Sequence, residues 1–246
     1  MRKKKINLPL RIVFISIALS PVIFLALRYL GFALRDLDYF KIREVVALRG
    51  KAGGFSYLMG RNIFSIDLKE ESRYISQIYP AYSKIRINRI LPNRLFIDFF
   101  ARRPLAYIKL SRYYCVDNEA VLFDQLAPDE EGGLPLIVGL ENKILAPHIG
   151  NKYNIKELSL ALEMINEIKN YKRLAAYQVK IINVVNPNAA FIILGDGPQI
   201  LLGQGGVKNK VHILDNLLRQ VEADLAKIKY IDLRFNDPVI KFKDVP

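Results

Sequence analysis

The chain begins with a basic cluster followed by a long apolar stretch, and this pairing constrains the fold more than any other feature. The cluster consists of Arg2, Lys3, Lys4 and Lys5. Ile12–Leu27 carries no charge, and its 16 residues would form about 24 Å of helix against the ~30 Å hydrocarbon core of a bilayer. Apolar and interfacial residues as far as Leu34 close that gap, and Arg28 can extend its charge to the headgroups. We therefore predict a basic tail over residues 1–11 and a transmembrane helix over residues 12–34.

The residues around this stretch also predict retention and orientation. Leu27-Arg28-Tyr29-Leu30 lacks the small residues of a signal-peptide cleavage site, so we expect a retained anchor rather than a cleaved leader. A buried core helix would not account for the adjacent basic residues. The positive-inside rule places the N-terminus in the cytoplasm and everything after residue 36 outside the inner membrane. No second stretch of similar length and apolarity follows, so the sequence predicts a single-pass protein.

The net charge of +13 comes from 37 basic and 24 acidic residues, a balance typical of nucleic-acid-binding proteins. Seven of the basic residues precede Asp36, and no acidic residue does. The remaining chain carries 30 basic and 24 acidic residues, so much of the excess belongs to the anchor. Because the rest of the chain is expected outside the cytoplasm, we predict no nucleic-acid partner.

Residues 38–106 have the pattern of a small α+β domain. Tyr39–Leu48 reads as a strand, followed by one short helical turn at 55–59. Asp67 with Glu70 is a capping-box pattern that opens a helix ending before Pro80. Two further strands follow as a hairpin, Ile85–Ile87 and Leu95–Phe100. The order strand, helix, helix, strand, strand predicts a sheet covered on one face by two helices.

Residues 107–246 predict a mostly antiparallel β domain with two helices. Asn154 and Glu157 repeat the capping pattern, and they open a helix with apolar residues as far as Ile168. The second helix has its apolar face over Val211–Leu225. The predicted strands lie in Tyr113–Phe123 (two strands), Leu134–Gly139, Val179–Val185, Ala190–Leu194, Gln199–Leu202, Tyr230–Phe235 and Val239–Lys243.

Residues for catalysis or metal binding are scarce. The two histidines, His148 and His212, are far apart and belong to no metal or triad motif. The stretch Gly203–Gly206 lacks the spacing of a phosphate-binding loop, so a plain turn before a helix is the simpler interpretation. Cys115 is the single cysteine and is expected to pack in the core. We predict a protein that is not an enzyme and has no catalytic residue, metal, cofactor or small-molecule substrate.

Several motifs resemble known domains when they are taken in order. Gly60–Leu68 and Arg86–Ile97 resemble a POTRA domain, and more narrowly the POTRA domain of the FtsQ/DivIB family of bacterial cell-division proteins. Leu134–Gly139 and Tyr230–Phe235 resemble elements of that family's β domain. The family's Glu-Arg-x-Pro element is matched by a stretch that has Ala101 at the Glu position. The resemblance implies an N-terminal transmembrane helix, a POTRA domain with β-α-α-β-β order over residues 38–106, and a β domain over residues 107–246.

The last predicted strand is the remaining candidate site. An uncovered strand edge offers unpaired N–H and C=O groups to another chain, whereas Lys241, Lys243 and Pro238 are residues that typically prevent such pairing. From the residues alone both interpretations stay open. The resemblance implies that this strand and the corner before it receive a segment of a partner. The implied partner-binding residues are Arg234, Phe235, Val239, Ile240, Lys241 and Phe242.

The resemblance also implies a role. It suggests a non-catalytic scaffold at the division septum that binds other single-pass division proteins, such as those resembling FtsB and FtsL. Through them it would regulate the septal peptidoglycan synthases. The alternative is a POTRA-type envelope chaperone or protein-translocation component. A transmembrane β-barrel after the POTRA domain would support that alternative, and the helices predicted after residue 107 argue against a barrel.

Overall fold

A computed structural model describes most of the chain. The described residues are 10–49, 54–125, 133–195 and 197–243. Backbone contacts divide the chain into two compact units. The first unit holds the described residues up to Ser76 together with Lys84–Phe100, and the second holds Gln77–Ser83 and the residues from Ala101 onward. The predicted orienting residues Arg2, Lys3, Lys4 and Lys5 lie outside the described part.

The apolar stretch near the N-terminus forms one long helix, α1, Leu10–Asp36. Its 27 residues correspond to about 40 Å at 1.5 Å per residue. The window Phe14–Gly31 has a mean hydropathy of 1.8 and none of it is buried by the protein. Within the described ranges, α1 is the helix that is long and apolar enough to cross a membrane. The predicted anchoring helix is confirmed as a helix, and Pro21 lies inside it.

The first unit folds around a three-stranded sheet. Its elements are a 3-10 turn at Asp38–Phe40, β1 (Glu44–Leu48), a 3-10 turn at Ser56–Leu58, α2 (Leu68–Ile78), β2 (Tyr82–Ile90) and β3 (Arg94–Ala101). The strand order is β1-β3-β2, and β1 runs parallel to β3. The carboxylate of Asp67 accepts hydrogen bonds from the N–H groups of Lys69 (2.8 Å) and Glu70 (3.1 Å), so the predicted cap forms. Alternate residues of β2 and β3 are buried, which agrees with a sheet that has one core-facing side.

The first strand is shorter than predicted. The sequence pattern placed it over Tyr39–Leu48, but the structure begins β1 at Glu44, because residues 38–40 close a 3-10 turn in which Phe40 N–H donates to Leu37. The first predicted helix is a single 3-10 turn. With these adjustments the predicted β-α-α-β-β order holds.

The second unit is built on a nine-stranded mixed sheet with helices on one face. Its strands are β4 (Ala106–Lys109), β5 (Tyr113–Val116), β6 (Leu122–Asp124), β7 (Leu136–Val138), β8 (Val179–Asn183), β9 (Phe191–Leu194), β10 (Gln199–Leu201), β11 (Ile228–Asp232) and β12 (Val239–Phe242). Its helices are α3 (Lys156–Lys169), α4 (Lys172–Ala176), α5 (Val207–Val221), and 3-10 turns at Pro187–Ala189 and Glu222–Lys227. The order across the sheet is β12-β11-β10-β9-β8-β7-β4-β5-β6. Five of the eight neighbouring pairs are antiparallel and three are parallel, so the predicted α+β class is confirmed.

Three details of this unit differ from the sequence prediction. The strand β4 and the short helix α4 were not predicted. The predicted cap at Asn154 is wrong, because α3 begins at Lys156 with Ile155 at the N-cap position and no side-chain cap. The apolar residues of α3 and α5 nevertheless form the expected core against the sheet, with Leu158, Ile165 and Leu214 fully or almost fully buried.

A buried ion pair stabilises the start of the second unit. The guanidinium of Arg102 donates to the carboxylate of Asp117, and their side chains are only 12% and 8% exposed. Arg102 Nε also donates to the carbonyl of Pro80 at 3.1 Å. The other oxygen of Asp117 accepts from the N–H groups of Glu119 and Val121, at 2.9 Å each. The pair therefore links the chain before β4 to the turn between β5 and β6.

Cys115 is buried beside Tyr107 and Phe123, on the side of the sheet opposite the main core. Burial raises the pKa of its thiol to about 11, with a smaller contribution from the nearby Asp124 carboxylate. A thiol with such a pKa is almost entirely protonated at neutral pH and is a poor nucleophile. The predicted packing role of this cysteine is confirmed.

Candidate partner-binding edge

The strand β12 forms one edge of the nine-stranded sheet. It pairs with β11 in antiparallel register, with Ile231 opposite Ile240 and Asp232 opposite Val239. The opposite edge, β6, is partly covered, because Leu122 exchanges backbone hydrogen bonds with Gly150 and Asn151. Among the described residues no equivalent segment lies along the outer side of β12.

The register determines which backbone groups of β12 point outward. Leu233 N–H donates to Leu201 O at 2.8 Å, so the backbone of Leu233 faces β10. The backbone N–H and C=O groups of consecutive residues point alternately to the two neighbouring strands. Those of Asp232 therefore point toward β12, where Asp232 is opposite Val239. It follows that Val239 and Lys241 face β11, while the N–H and C=O groups of Ile240 and Phe242 point away from the sheet.

The side chains of β12 differ in exposure. Ile240 is half-buried and packs against the core, whereas Val239 and Phe242 are 48% and 52% exposed. Lys241 is exposed, and Phe235 in the preceding turn is 64% exposed. The six predicted partner-binding residues therefore lie together on this strand and the turn before it. Their predicted role in binding stays a prediction.

Arg234 is held by a neighbouring carboxylate that sequence reasoning did not single out. Its Nε donates to Asp232 Oδ1 at 2.9 Å, and its terminal nitrogen donates to Oδ2 at 2.6 Å, in a bidentate fork. Asp232 is only 6% exposed. The guanidinium also lies 5.6 Å from the centre of the Phe235 ring. The fork holds Arg234 against the exposed aromatic ring and uses two of its five N–H donors, so the other three stay available to a partner.

Lys210, in the first turn of α5, and Gly203, in the loop before that helix, complete this corner. Lys210 Nζ donates to the carbonyls of Leu202 (2.7 Å) and Gln204 (3.2 Å). Burial lowers the pKa of Lys210, and the nearby Asp232 carboxylate partly opposes that shift. Gly203 has φ +61°, and a Cβ there would lie 2.8 Å from the Asn188 carbonyl and 3.2 Å from the side chain of Arg234. Only glycine fits this position without displacing its neighbours.

The Asp232–Arg234 fork predicts a pH dependence of stability. Hydrogen bonds from Arg234 hold the pKa of Asp232 below its ordinary value of 3.8. A carboxyl whose pKa is lower in the folded state stabilises the fold above its unfolded pKa, and that contribution is lost as pH falls through the folded pKa. We expect Asp232→Asn to flatten the decline of the unfolding free energy below about pH 4. Urea denaturation at a series of pH values measures this decline. The control is Asp237→Asn in the exposed turn, for which the unfolding free energy should fall with pH as it does in the wild type.

The two histidines have ordinary polar neighbours. His148 Nδ1 lies 2.9 Å from the carbonyl of Ala146, and His212 lies beside Tyr171 and Asn216. Over the residues that the structure describes, no three His, Cys, Asp or Glu side chains group closely enough to hold a metal ion. The open edge of the sheet therefore remains the candidate site with the most specific geometry.

In the part of the chain that the structure describes, one long apolar helix that fits a single membrane span is followed by folded elements of α+β class. The family model of the C-terminal part of the cell division protein FtsQ/DivIB matches residues 106–234, more than half of the chain. This chain belongs to the FtsQ/DivIB family of cell division proteins. The match ends at Arg234, before β12.

Individual relatives agree with this membership. The cell division protein FtsQ of Geotalea daltonii is 25% identical over 207 residues, covering 83% of this chain and 72% of the relative. FtsQ of Geobacter sp. strain M21 is 25% identical over 201 residues, covering 80% and 69%. FtsQ of Myxococcus fulvus is 26% identical over 180 residues, covering 71% and 61%. These alignments are longer than the family model's match.

Proposed function

We propose that this cell division protein is a non-catalytic scaffold anchored in the inner membrane at the division septum. Its short basic tail lies in the cytoplasm, and both folded units lie outside the membrane. There it binds other single-pass division proteins resembling FtsB and FtsL, and through them it regulates the septal peptidoglycan synthases. The observation that carries this proposal is the open edge of β12 in a member of a cell-division family.

The proposed binding mode is addition of a partner strand to β12. The outward N–H and C=O groups of Ile240 and Phe242 form a short ladder with the partner backbone, as in other sheet-edge complexes. Each such hydrogen bond contributes about 1 kcal/mol net. That is little by itself, but a partner confined to the same membrane is held at a high effective concentration, which strengthens a weak contact.

The side chains around this edge indicate the character of the partner segment. Phe235 and Phe242 offer exposed aromatic surface that a partner can bury. Lys229, Lys241 and Lys243 are exposed around the same edge. A partner strand that carries both acidic and apolar side chains fits this surface, because unlike charges favour encounter and limit the wrong partners.

Purification of the full chain from native membranes tests the proposed function. We expect small single-pass division proteins to co-purify with it. Recovery of unfolded envelope proteins instead would favour a chaperone, and recovery of no other protein would contradict the scaffold. An epitope tag at the N-terminus leaves the region of β12 unaltered.

A further inference from the structure

Aromatic and basic side chains lie together immediately after α1. Leu37 and Tyr39 are 48% and 62% exposed, and Phe64, brought next to them by the fold, is 39% exposed. The exposed basic residues of the same region are Lys41, Arg43 and Arg61. We call this set of six residues the juxtamembrane surface.

Backbone pairing holds this surface in one arrangement. Ile42 N–H donates to Arg61 O, and Ile63 N–H donates to Phe40 O, at 2.9 Å each. The side chains of Ile42 and Ile63 are buried beneath it. The Phe40 ring contacts both Tyr39 and Phe64, with ring centres 5.3 and 5.1 Å apart. The exposed aromatic rings are therefore part of the packed unit.

The covalent connection to α1 fixes how far this surface can be from a membrane. Tyr39 is three residues after the helix end at Asp36, so it lies within about 11 Å of that end. The apolar window ends at Gly31, and five more helical residues add about 8 Å. A headgroup layer is about 5–8 Å thick on each side of the hydrocarbon core. The chain thus keeps Tyr39 within about 19 Å of the end of the apolar window, a reach that includes the headgroup layer whenever α1 spans the bilayer.

We propose that the juxtamembrane surface docks on anionic lipid headgroups. Aromatic side chains are favoured at the membrane–water interface, and basic side chains are attracted to anionic lipids. Asp36, Asp38 and Glu44 are the acidic residues adjacent to this surface in sequence. Asp38 is paired with Lys41 Nζ at 2.5 Å, and Glu44 is paired with Arg94 Nε at 2.9 Å. Residues 37–100 carry 11 basic and six acidic side chains. This excess of positive charge also favours binding to anionic headgroups. Docking would restrict the motion of the three-stranded sheet of the first unit relative to α1.

The chain contains no tryptophan, so one introduced indole reports on this contact without interference. The full chain carrying Tyr39→Trp is reconstituted in nanodiscs of phosphatidylglycerol or of phosphatidylcholine, each with or without brominated acyl chains. We expect brominated phosphatidylglycerol to quench the indole at least about twofold, and brominated phosphatidylcholine to quench it clearly less. Phe235→Trp in the second unit, with a native side chain of similar exposure (64% against 62%), is the comparison position and shows whether the quenching is confined to the first unit.

Charge reversal separates specific docking from simple proximity. Arg43→Glu and Arg61→Glu, added to Tyr39→Trp, should reduce quenching by phosphatidylglycerol to the level seen in phosphatidylcholine. Unchanged quenching in this variant or no quenching at position 39 would each overturn the proposal. The inference requires α1 to span the membrane but no partner protein. Resistance to alkaline extraction verifies that insertion separately, so this proposal and the scaffold proposal fail independently.

Discussion

Phe242→Pro is expected to weaken binding of the partner strand by about ten- to a hundredfold. Proline removes the outward N–H of residue 242 and leaves a partner carbonyl without its donor, which costs about 1–3 kcal/mol. The bonds from β12 to β11 use Val239, Lys241 and Lys243, so the substitution leaves the native ladder in place. Affinity of the purified full chain for its co-purified partner measures the effect.

Phe242→Ala is the matched control, since it removes the same side chain but keeps the backbone donor. We expect it to weaken binding only severalfold, through the lost aromatic contact. Equal losses in the two variants would mean that the side chain, not strand addition, carries the interaction. Ile240→Asp is a poorer test, because Ile240 packs against the core and a charge there would destabilise the fold.

Arg102→Ala is expected to destabilise the second unit by about 3 kcal/mol. The substitution leaves the nearly buried carboxylate of Asp117 without its cation, and breaking a buried pair by removing one partner typically costs about 3–5 kcal/mol. The two N–H groups that Asp117 retains place the expected value at the lower end of this range. Urea denaturation of the full chain in detergent micelles, followed by tyrosine fluorescence, measures the change.

Arg103→Ala is the control for this prediction. Arg103 is the next residue along the chain and has the same charge, but it is exposed. Its loss should change the unfolding free energy by less than about 0.5 kcal/mol. If both variants unfolded at the wild-type urea concentration, the pair between Arg102 and Asp117 would not be a stabilising element of this unit.

Elements with a strong local signal could be predicted from the sequence. The apolar run of α1, the capping by Asp67 and the alternation in β3 all depend on residues close together in the chain. The cap at Asn154 failed although its pattern was the same. The N-cap of α3 is Ile155, one residue later than the pattern indicates. A capping pattern thus identifies a helix start more reliably than it identifies the residue that caps it.

Elements that depend on distant partners could not be predicted. The strand β4 is four residues long, and it lies between β7 and β5 in the sheet. Its sequence has no alternation long enough to identify it, and its backbone groups are satisfied by strands that come later in the chain. The strands β10 and β11 were predicted, but their parallel pairing was not, because α5 separates them in sequence.

The candidate site was predictable in its position but not in its chemistry. The turn before β12 and the strand itself are apparent from Asn236, Pro238 and the alternation that follows. The fork between Asp232 and Arg234 was not apparent, because Arg234 lies in the bend after β11, where the alternation of a strand no longer sets the direction of its side chain. The close approach at Gly203 depends on Asn188 and Arg234, which are remote in sequence.

Hydrogen exchange at individual amides of β12 tests the central claim most directly. In the free protein the amides of Val239 and Lys241 should exchange slowly, since they face β11, and those of Ile240 and Phe242 should exchange quickly. Binding of the partner should slow exchange at Ile240 and Phe242 by at least about tenfold, as expected for newly formed backbone hydrogen bonds. If these two amides exchanged at the same rate in the complex as in the free protein, β12 would not be the strand that receives the partner.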